Sequence, residues 1–325
     1  MNISRRSFTW LATAAVGLEP SAVLGAEPYP TRAVKIIVPF GAGGPADVYA
    51  RAVAQQLSAS LKQPFVIENR PGAGAIIGTN EAAKAEPDGY TLLMMSNTHT
   101  TNETLVRRKS YELLRDFVPV APVNYSDLVV VVHPSVPATN LAELIALAKA
   151  EPGKLNYASS GIGTPYHMAG ELLKAMTGTN IVHVPHRGSG EARNNVIGGH
   201  LQVMIDAVTT MAPNVEAGQV RALATTGQAR SSILPGVPTV AEAGVPGYEA
   251  TIWLGIMAPR TTPTLIISAL NASITAAVNA TETRAAWAKQ AAAPMSMNPA
   301  EFQEYIRADI AKWAKVIEGA GIKPE

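Results

Sequence analysis

The sequence predicts an α/β protein of two similar lobes, each with a mainly parallel sheet. Apolar runs rich in β-branched residues alternate with helical patterns, the arrangement that βαβ units produce. A set of two units, each a strand, a glycine-rich turn and a helix, is met once in each half of the chain. With 325 residues the chain is also too long for one small core, so two units of about 100 to 200 residues each are expected.

Taken in order, the opening segment "MNISRRSFTWLATAAVGLEPSAVLGAEPYP" carries Arg5 and Arg6, an apolar stretch from Phe8 to Leu18, and small residues before Glu27. That is the plan of a cleaved export signal, too short to span a bilayer. The paired arginines followed by Phe8 fit a twin-arginine signal, and a general secretory signal fits the same stretch. Residues 1–26 are therefore expected to be the signal, and the mature protein to be soluble and periplasmic.

In the first half, "VKIIVPF" is a strand, "GAGG" the turn, and Pro45 to Leu61 a helix. The strand "PFVIEN" then leads through "RPGAG" to a helix near Ala75 to Ala85, followed by the strand "YTLLMMS" and "NTHTTN", read as a polar loop. In the second half "KLNYASS" leads through "GIGT" to a helix near Pro165 to Met176. "NIVHVPH" leads through "RGSG" to a helix near Glu191 to Ile197, and "LQVMID" closes the set. "FVPVAPVNYSDLVVVVHPSVPA" reads as the crossing out of the first lobe and "PGVPTVAEAGVPGYEATIWLGIMAPRTTP" as the return. The division expected is lobe 1 over 27–124, lobe 2 over 125–249, and a return to lobe 1 over 250–325, whose helical patterns complete it.

Composition narrows the function. A chain that is 47% hydrophobic and 16% charged, with net charge +1, is an ordinary globular protein without the basic patch a nucleic acid would need. It contains no cysteine, which removes thiolate catalysis, disulfides and cysteine-held metals. No cofactor is expected.

The glycine turns have a physical use. The first N–H groups of a helix lack intrahelical partners, and the aligned peptide dipoles favour negative charge there. Glycine lets that backbone approach a ligand, and Pro45 fits a first helical turn where its missing N–H costs nothing. "GAGGPAD" thus reads as an anion cradle, and "SSGIGTPYH" is built to the same plan. In open parallel sheets ligands bind beyond the carboxyl ends of the strands, where both cradles fall, and two lobes facing across such loops make a cleft that closes.

Other chemistries fit less well. Glu68 stands about where a ribose-binding acid belongs, but "GAGGPAD" lacks the third glycine of a dinucleotide fingerprint, and no Gly-Lys-Ser or Gly-Lys-Thr is present. Ser159, Ser160 and His167 are close in sequence, yet no G-x-S-x-G elbow surrounds either serine. His183, His186 and His200 show no metal spacing. Asp47 and Arg51, four apart on a helix, are expected to form an ion pair.

Longer stretches carry a family resemblance. "YPTRAVKIIVPFGAGGPADVYAR", "VIENRPGAGAIIGTNEAAKAEPDGYTLL", "NYASSGIGTPYHMAGELL", "IVHVPHRG", "GGHLQVMIDA" and "VRALATTGQARSSILPGVPTVAEAGVPGYEATIW" follow one another over nearly the whole mature chain. The sequence resembles the Bug receptors, the periplasmic substrate-binding proteins of tripartite tricarboxylate transporters. The resemblance implies a two-lobed periplasmic binding protein (type II, Venus-flytrap) without catalysis, acting as a monomer. Its implied ligand is a small organic anion: a dicarboxylate, an aromatic carboxylate or an amino acid. Its implied partners are membrane permease subunits, with a sensor ectodomain as the alternative.

By motif, the resemblance places ligand contacts at Gly43, Gly44, Pro45 and Ala46 in the first loop and at Ser160, Gly163, Thr164 and His167 in the second. Ala75, Thr98 and Asp206 are added from the remaining loops. Asp206 would repel an adjacent carboxylate, so its expected work is to orient loop amides, accept from a bridging water or meet a ligand donor. The sequence departs from many relatives in "FGAGG", where two prolines are usual, and at His186, where tyrosine is commoner. Phe40 and Tyr166 adjoin the two main loops, placed to flank a ligand ring or to pack on the loop backbone.

Overall fold

A computed structural model describes residues 29–319 and 321–324, so the expected export signal lies outside the described residues. The first lobe opens with β1 (Val34–Val38), α1 (Pro45–Leu61), β2 (Phe65–Asn69), α2 (Ile76–Ala83), β3 (Thr91–Ser96), α3 (Asn97–Leu105) and the short α4 (Leu113–Asp116). β4 (Phe117–Val132) leads to α5 (Leu141–Ala150), β5 (Asn156–Ser159), α6 (Pro165–Thr177), β6 (Val182–Pro185), α7 (Ser189–Ile197), β7 (Val203–Ala207), α8 (Val208–Glu216) and β8 (Arg221–Thr225). The chain returns through β9 (Thr251–Pro259) and ends in α9 (Thr264–Asn279), α10 (Thr281–Ala288), β10 (Ala292–Pro294) and α11 (Pro299–Gly319).

Strand order is β2-β1-β3-β9-β4-β7-β5-β6, with β8 and β10 also pairing with β4. Each lobe keeps a parallel set, β2-β1-β3 and β7-β5-β6. The sheets are nevertheless mixed, because β4 and β9 run against their neighbours. β4 serves both lobes: Phe117 to Asp127 pair with β9, and Leu128 to Val132 pair with β7.

The unbroken apolar runs that mark these strands follow from burial on both faces. Along β1 and β3, Val34, Ile36, Val38, Leu92 and Met94 pack toward α1 and α9, whereas Ile37, Leu93 and Met95 pack toward Tyr111, Trp253 and the α11 residues Phe302 and Ile306. The C-terminal helices thereby cover both faces of the first sheet. In the second lobe Val130 and Val132 face one core and Val129 and Val131 the other. Among the described residues no single helix is long and apolar enough to cross a membrane.

One expectation fails. "NTHTTN", read as a polar loop, is the start of helix α3, and every residue from Asn97 to Asn102 is buried. Asn and Thr are poor helix formers, so packing and local bonds carry the helix. Ser96 Oγ accepts from Thr98 N, and His99 Nδ1 accepts from Ser96 N, which caps the first turn. The Thr100 and Thr101 hydroxyls lie 2.8 and 2.9 Å from the carbonyls three residues back. Apart from Asn97 Oδ1 and the Thr98 hydroxyl, the polarity that marked a surface loop is satisfied inside the protein.

Candidate functional site

A cavity of about 650 Å³ lies between the lobes, within the range of small-molecule sites. Its walls come from the carboxyl ends of β1, β2, β3, β5 and β6 and the turns that follow them, with Ile252 and Leu254 of β9 between. The first residues of five helices reach it: Pro45 and Ala46 of α1, Ala75 before α2, Thr98 of α3, Pro165 of α6 and Ser189 of α7. No side chain caps α1, α2 or α7, which leaves leading N–H groups there open to an anion, except that of Ile76, which donates to Ala73 O at 3.2 Å. The charged residues in the lining are Arg187 and Glu191, both exposed.

Seven of the motif-derived positions are brought together here: Gly44, Pro45, Ala46, Ala75, Thr98, Ser160 and Thr164. The Thr98 hydroxyl is buried without a hydrogen-bond partner, a costly state that a ligand group relieves. Thr164 is partly committed, its Oγ1 donating to Gly161 O at 2.7 Å and capping α6 through His167 N. Phe40 and Tyr166 both line the cavity, and Phe40 also meets the edge of His99.

Gly43, Gly163, His167 and Asp206 do not line it. Gly43 N donates to Asp47 Oδ2 at 3.0 Å, which draws this amide toward the helix. Gly163 N donates to His167 Nδ1 at 3.1 Å, and His167 is buried and stacked on His183 with ring centroids 4.0 Å apart. Burial, with the nearby Lys174 charge, pushes the His167 pKa down to about 4, leaving a neutral ring that accepts at Nδ1. Asp206 is fully buried: Oδ2 accepts from Arg193 Nε and Nη2 at 3.0 and 2.8 Å, and Oδ1 accepts from Ala207 N at 2.8 Å. Burial raises its pKa against the opposing pull of Arg193.

The expected Asp47–Arg51 pair forms, with Arg51 Nη2 2.9 Å from Asp47 Oδ1. Burial pushes the Asp47 carboxyl up, but bonds from Arg51, Gly43 N and Asn69 outweigh it and hold it below the usual range. Ser159 is fully buried, its hydroxyl 2.6 Å from His183 Nε2 and bonded to Gly161, so it is no exposed nucleophile.

Residue reading missed several lining positions, among them Ser96, Gly161 and the stretch His186 to Glu191. The last was legible as "RGSG", a fourth glycine-rich turn between strand and helix. The turn "RPGAG", of which Ala75 alone was expected as a contact, lines the cavity from Pro71 to Ala75. Ala73 and Ala75 have φ of +47° and +75°, a left-handed backbone that costs an alanine about 1–2 kcal/mol. A polar chain secures this strained corner: Thr79 Oγ1 donates to Ala75 O at 2.7 Å and lies 2.9 Å from His99 Nε2. With Nδ1 accepting from Ser96 N, His99 is assigned the Nε2–H tautomer. Burial lowers its pKa to about 4.

Residues 49–322 match the model of the tripartite tricarboxylate transporter family receptors. The chain belongs to this receptor family. These proteins are solute-binding receptors, not enzymes. The receptor is 37% identical over 316 residues to Protein BugT of Bordetella pertussis, covering 97% of this chain and 96% of that one. It also resembles the structure of R. palustris Rpa4515 with adipate, at 38% identity and a TM-score of 0.88, over 91% of this chain and all of that one (100%). MatC from Rhodopseudomonas palustris, with bound malate, is 30% identical with a TM-score of 0.84, over 89% of this chain and 100% of that one.

Proposed function

We propose that the receptor works in the periplasm, closes on a small carboxylate and delivers it to the permease subunits of a tripartite tricarboxylate-type transporter. The observation that carries this reading is the convergence of five helix N-termini on one cavity where the buried Thr98 hydroxyl has no partner. Such a wall recognises oxyanions by N–H donors and dipoles, without a buried cation. Charge-assisted hydrogen bonds contribute about 1.5–3 kcal/mol each. A few of them, with water excluded, reach the roughly 8 kcal/mol that micromolar binding needs after association costs.

Adipate and malate, held by two relatives, support a dicarboxylate. The largely apolar lining, with Phe40 and Tyr166, leaves room for an aromatic carboxylate, and an amino acid completes the class. The test is a thermal-shift screen of the purified receptor against mono-, di- and aromatic carboxylates and amino acids. A ligand at a hundredfold excess over Kd stabilises the native state by about 2.7 kcal/mol. A shift confined to one of these groups names the ligand class, and no shift for any of them sinks the reading.

A further inference from the structure

A second cavity, of about 420 Å³, lies behind the first. The two share a wall. Along β9, Ile252 and Leu254 face the main cavity while Thr251 and Trp253 line the second, as the two-residue alternation of a strand requires. At the start of α3, Thr98 belongs to the first and Asn97 to the second. α11 closes the far side through Tyr305, Asp309 and Trp313.

The chemistry differs from the main cavity's by its carboxylates and indole rings. Beside the start of α3 at Asn97, the second cavity is lined by the carboxylates of Asp309 and Glu249 and by Trp253, Tyr305 and Trp313, the two indole N–H groups being buried without a partner. Asn97 is only 2% exposed, its Nδ2 donates to Thr251 O at 2.9 Å, and its Oδ1 is a buried acceptor with no donor. Asp309 Oδ2 accepts from Thr100 Oγ1 at 2.5 Å. Trp253 and Tyr305 meet edge to face, with centroids 5.2 Å apart. Among the described residues no group of three His, Cys, Asp or Glu is placed to hold a metal ion.

We propose that this second cavity binds a small organic ammonium ion. An ammonium group needs acceptors on one side and accepts aromatic faces on the other. Asn97 Oδ1, Asp309 and Glu249 provide the first, and the three rings provide the second. The receptor's own Lys312 already shows the preference: its Nζ lies 5.4 Å from the centroid of the Trp313 ring. Lys312 stands on an exposed turn of α11, so an incoming ammonium ion displaces a resident cation that swings into solvent. Burial raises the Asp309 pKa, opposed by Thr100, Trp253, Lys312 and Trp313, and a bound cation joins the opposing set. Because β9 and the first turn of α3 wall both cavities, occupancy of one stiffens the wall of the other, and the coupling is reciprocal.

The probes are methylammonium and ethylammonium chloride, added to the receptor at constant ionic strength with sodium chloride as control. The readout is the indole N–H resonances of Trp253 and Trp313, with Trp287, packed in the first-lobe core, as internal reference. A saturable shift of the first two is expected, with affinity lowered about tenfold by Glu249→Gln and raised by Lys312→Met, a change equivalent to about 1.4 kcal/mol. Shifts that never saturate, match sodium chloride, or are left unchanged by both substitutions overturn the proposal. Carboxylate binding at the main cavity is scored in separate titrations, so either site fails without the other.

Discussion

The hydroxyl of Thr101, on α3 in the first lobe, donates a 2.6 Å hydrogen bond to the carbonyl of Gly163, in the second-lobe turn before α6. Close by, Met168 of α6 packs with Leu105, Trp313 and Ile317 of the first lobe. Together these contacts latch the lobes beside the cavity, independently of any ligand. Thr101→Val removes the bond at nearly constant volume. We expect a larger radius of gyration in small-angle scattering of the ligand-free variant, and ligand affinity reduced by the fraction of chains left open. An unchanged radius and affinity would show that the apolar contact alone holds the lobes.

Gly163 has φ of +73°, and a Cβ there would lie 3.0 Å from Asn102 Oδ1 and 3.2 Å from Leu105 Cδ1. Gly163→Ala therefore adds backbone strain to a lobe contact with no slack, at a cost of about 1–3 kcal/mol. Gly44 is the contrast, because its φ is −82° and an added Cβ meets only ordinary contacts at 3.5 Å. Gly44→Leu should keep its melting temperature yet lose ligand binding by calorimetry. A melting temperature that falls as far as that of Gly163→Ala would count against Gly44 as a cavity wall.

Thr98→Val replaces a buried, unpartnered hydroxyl with a methyl group of the same shape. Stability of the ligand-free receptor should hold or rise slightly, because an unsatisfied group is removed. Ligand affinity should drop about five- to tenfold, the worth of one hydrogen bond. Equal affinity in both proteins would remove Thr98 from the site.

Arg193 is the partner that makes Asp206 tolerable. Arg193→Met leaves a buried carboxylate unpaired and should cost about 3–5 kcal/mol in urea unfolding, much of it recovered in the Arg193→Met/Asp206→Asn double variant. If Asp206→Asn instead weakens ligand binding while stability holds, Asp206 acts on the ligand through the loop amide of Ala207.

The pH dependence follows from buried neutral histidines. His99 has its pKa lowered to about 4 by burial, below the unfolded value of about 6.5. Between those values the unfolded chain binds more protons, so stability rises with pH across that window and is lost on acidification. His99 alone contributes a slope approaching 1.4 kcal/mol per pH unit, an order-of-magnitude figure. Asp127 acts in the opposite sense, its pKa raised to about 6 by burial and by Glu249. Urea melts from pH 4.5 to 7 should therefore show a shallower rise in His99→Gln than in the parent. Parallel curves would mean that His99 is not buried neutral.

Much of the architecture was legible without coordinates. α1 runs from Pro45 to Leu61 as the helical pattern after "GAGG" requires, and the strands stand out because burial on both faces leaves unbroken apolar runs such as "LVVVV". The cradle positions on these turns were legible for the same reason, since backbone geometry at a helix start is a local property written in Gly, Pro and Thr. α3 was not, because its Thr100, Thr101 and Asn102 are satisfied by Asp309, Gly163 and Gly74, partners distant in sequence.

Local pattern by itself determined the α/β class, the twofold order of strand, turn and helix, and the turns that face the cavity. Those depend on periodicity and on where a helix leaves its N–H groups open. Tertiary structure decided which polar groups are spent and which are free. His167, Gly163 and Asp206 carry the right residue types on the right loops, yet each is consumed by a partner: Gly163 N, Thr101 and Arg193. Thr98, one residue from equally buried neighbours, alone among the motif-derived positions keeps a buried hydroxyl without a partner. Hydrogen-bond satisfaction is a property of the packed chain, because the atoms that compete for each donor meet only when the lobes are assembled.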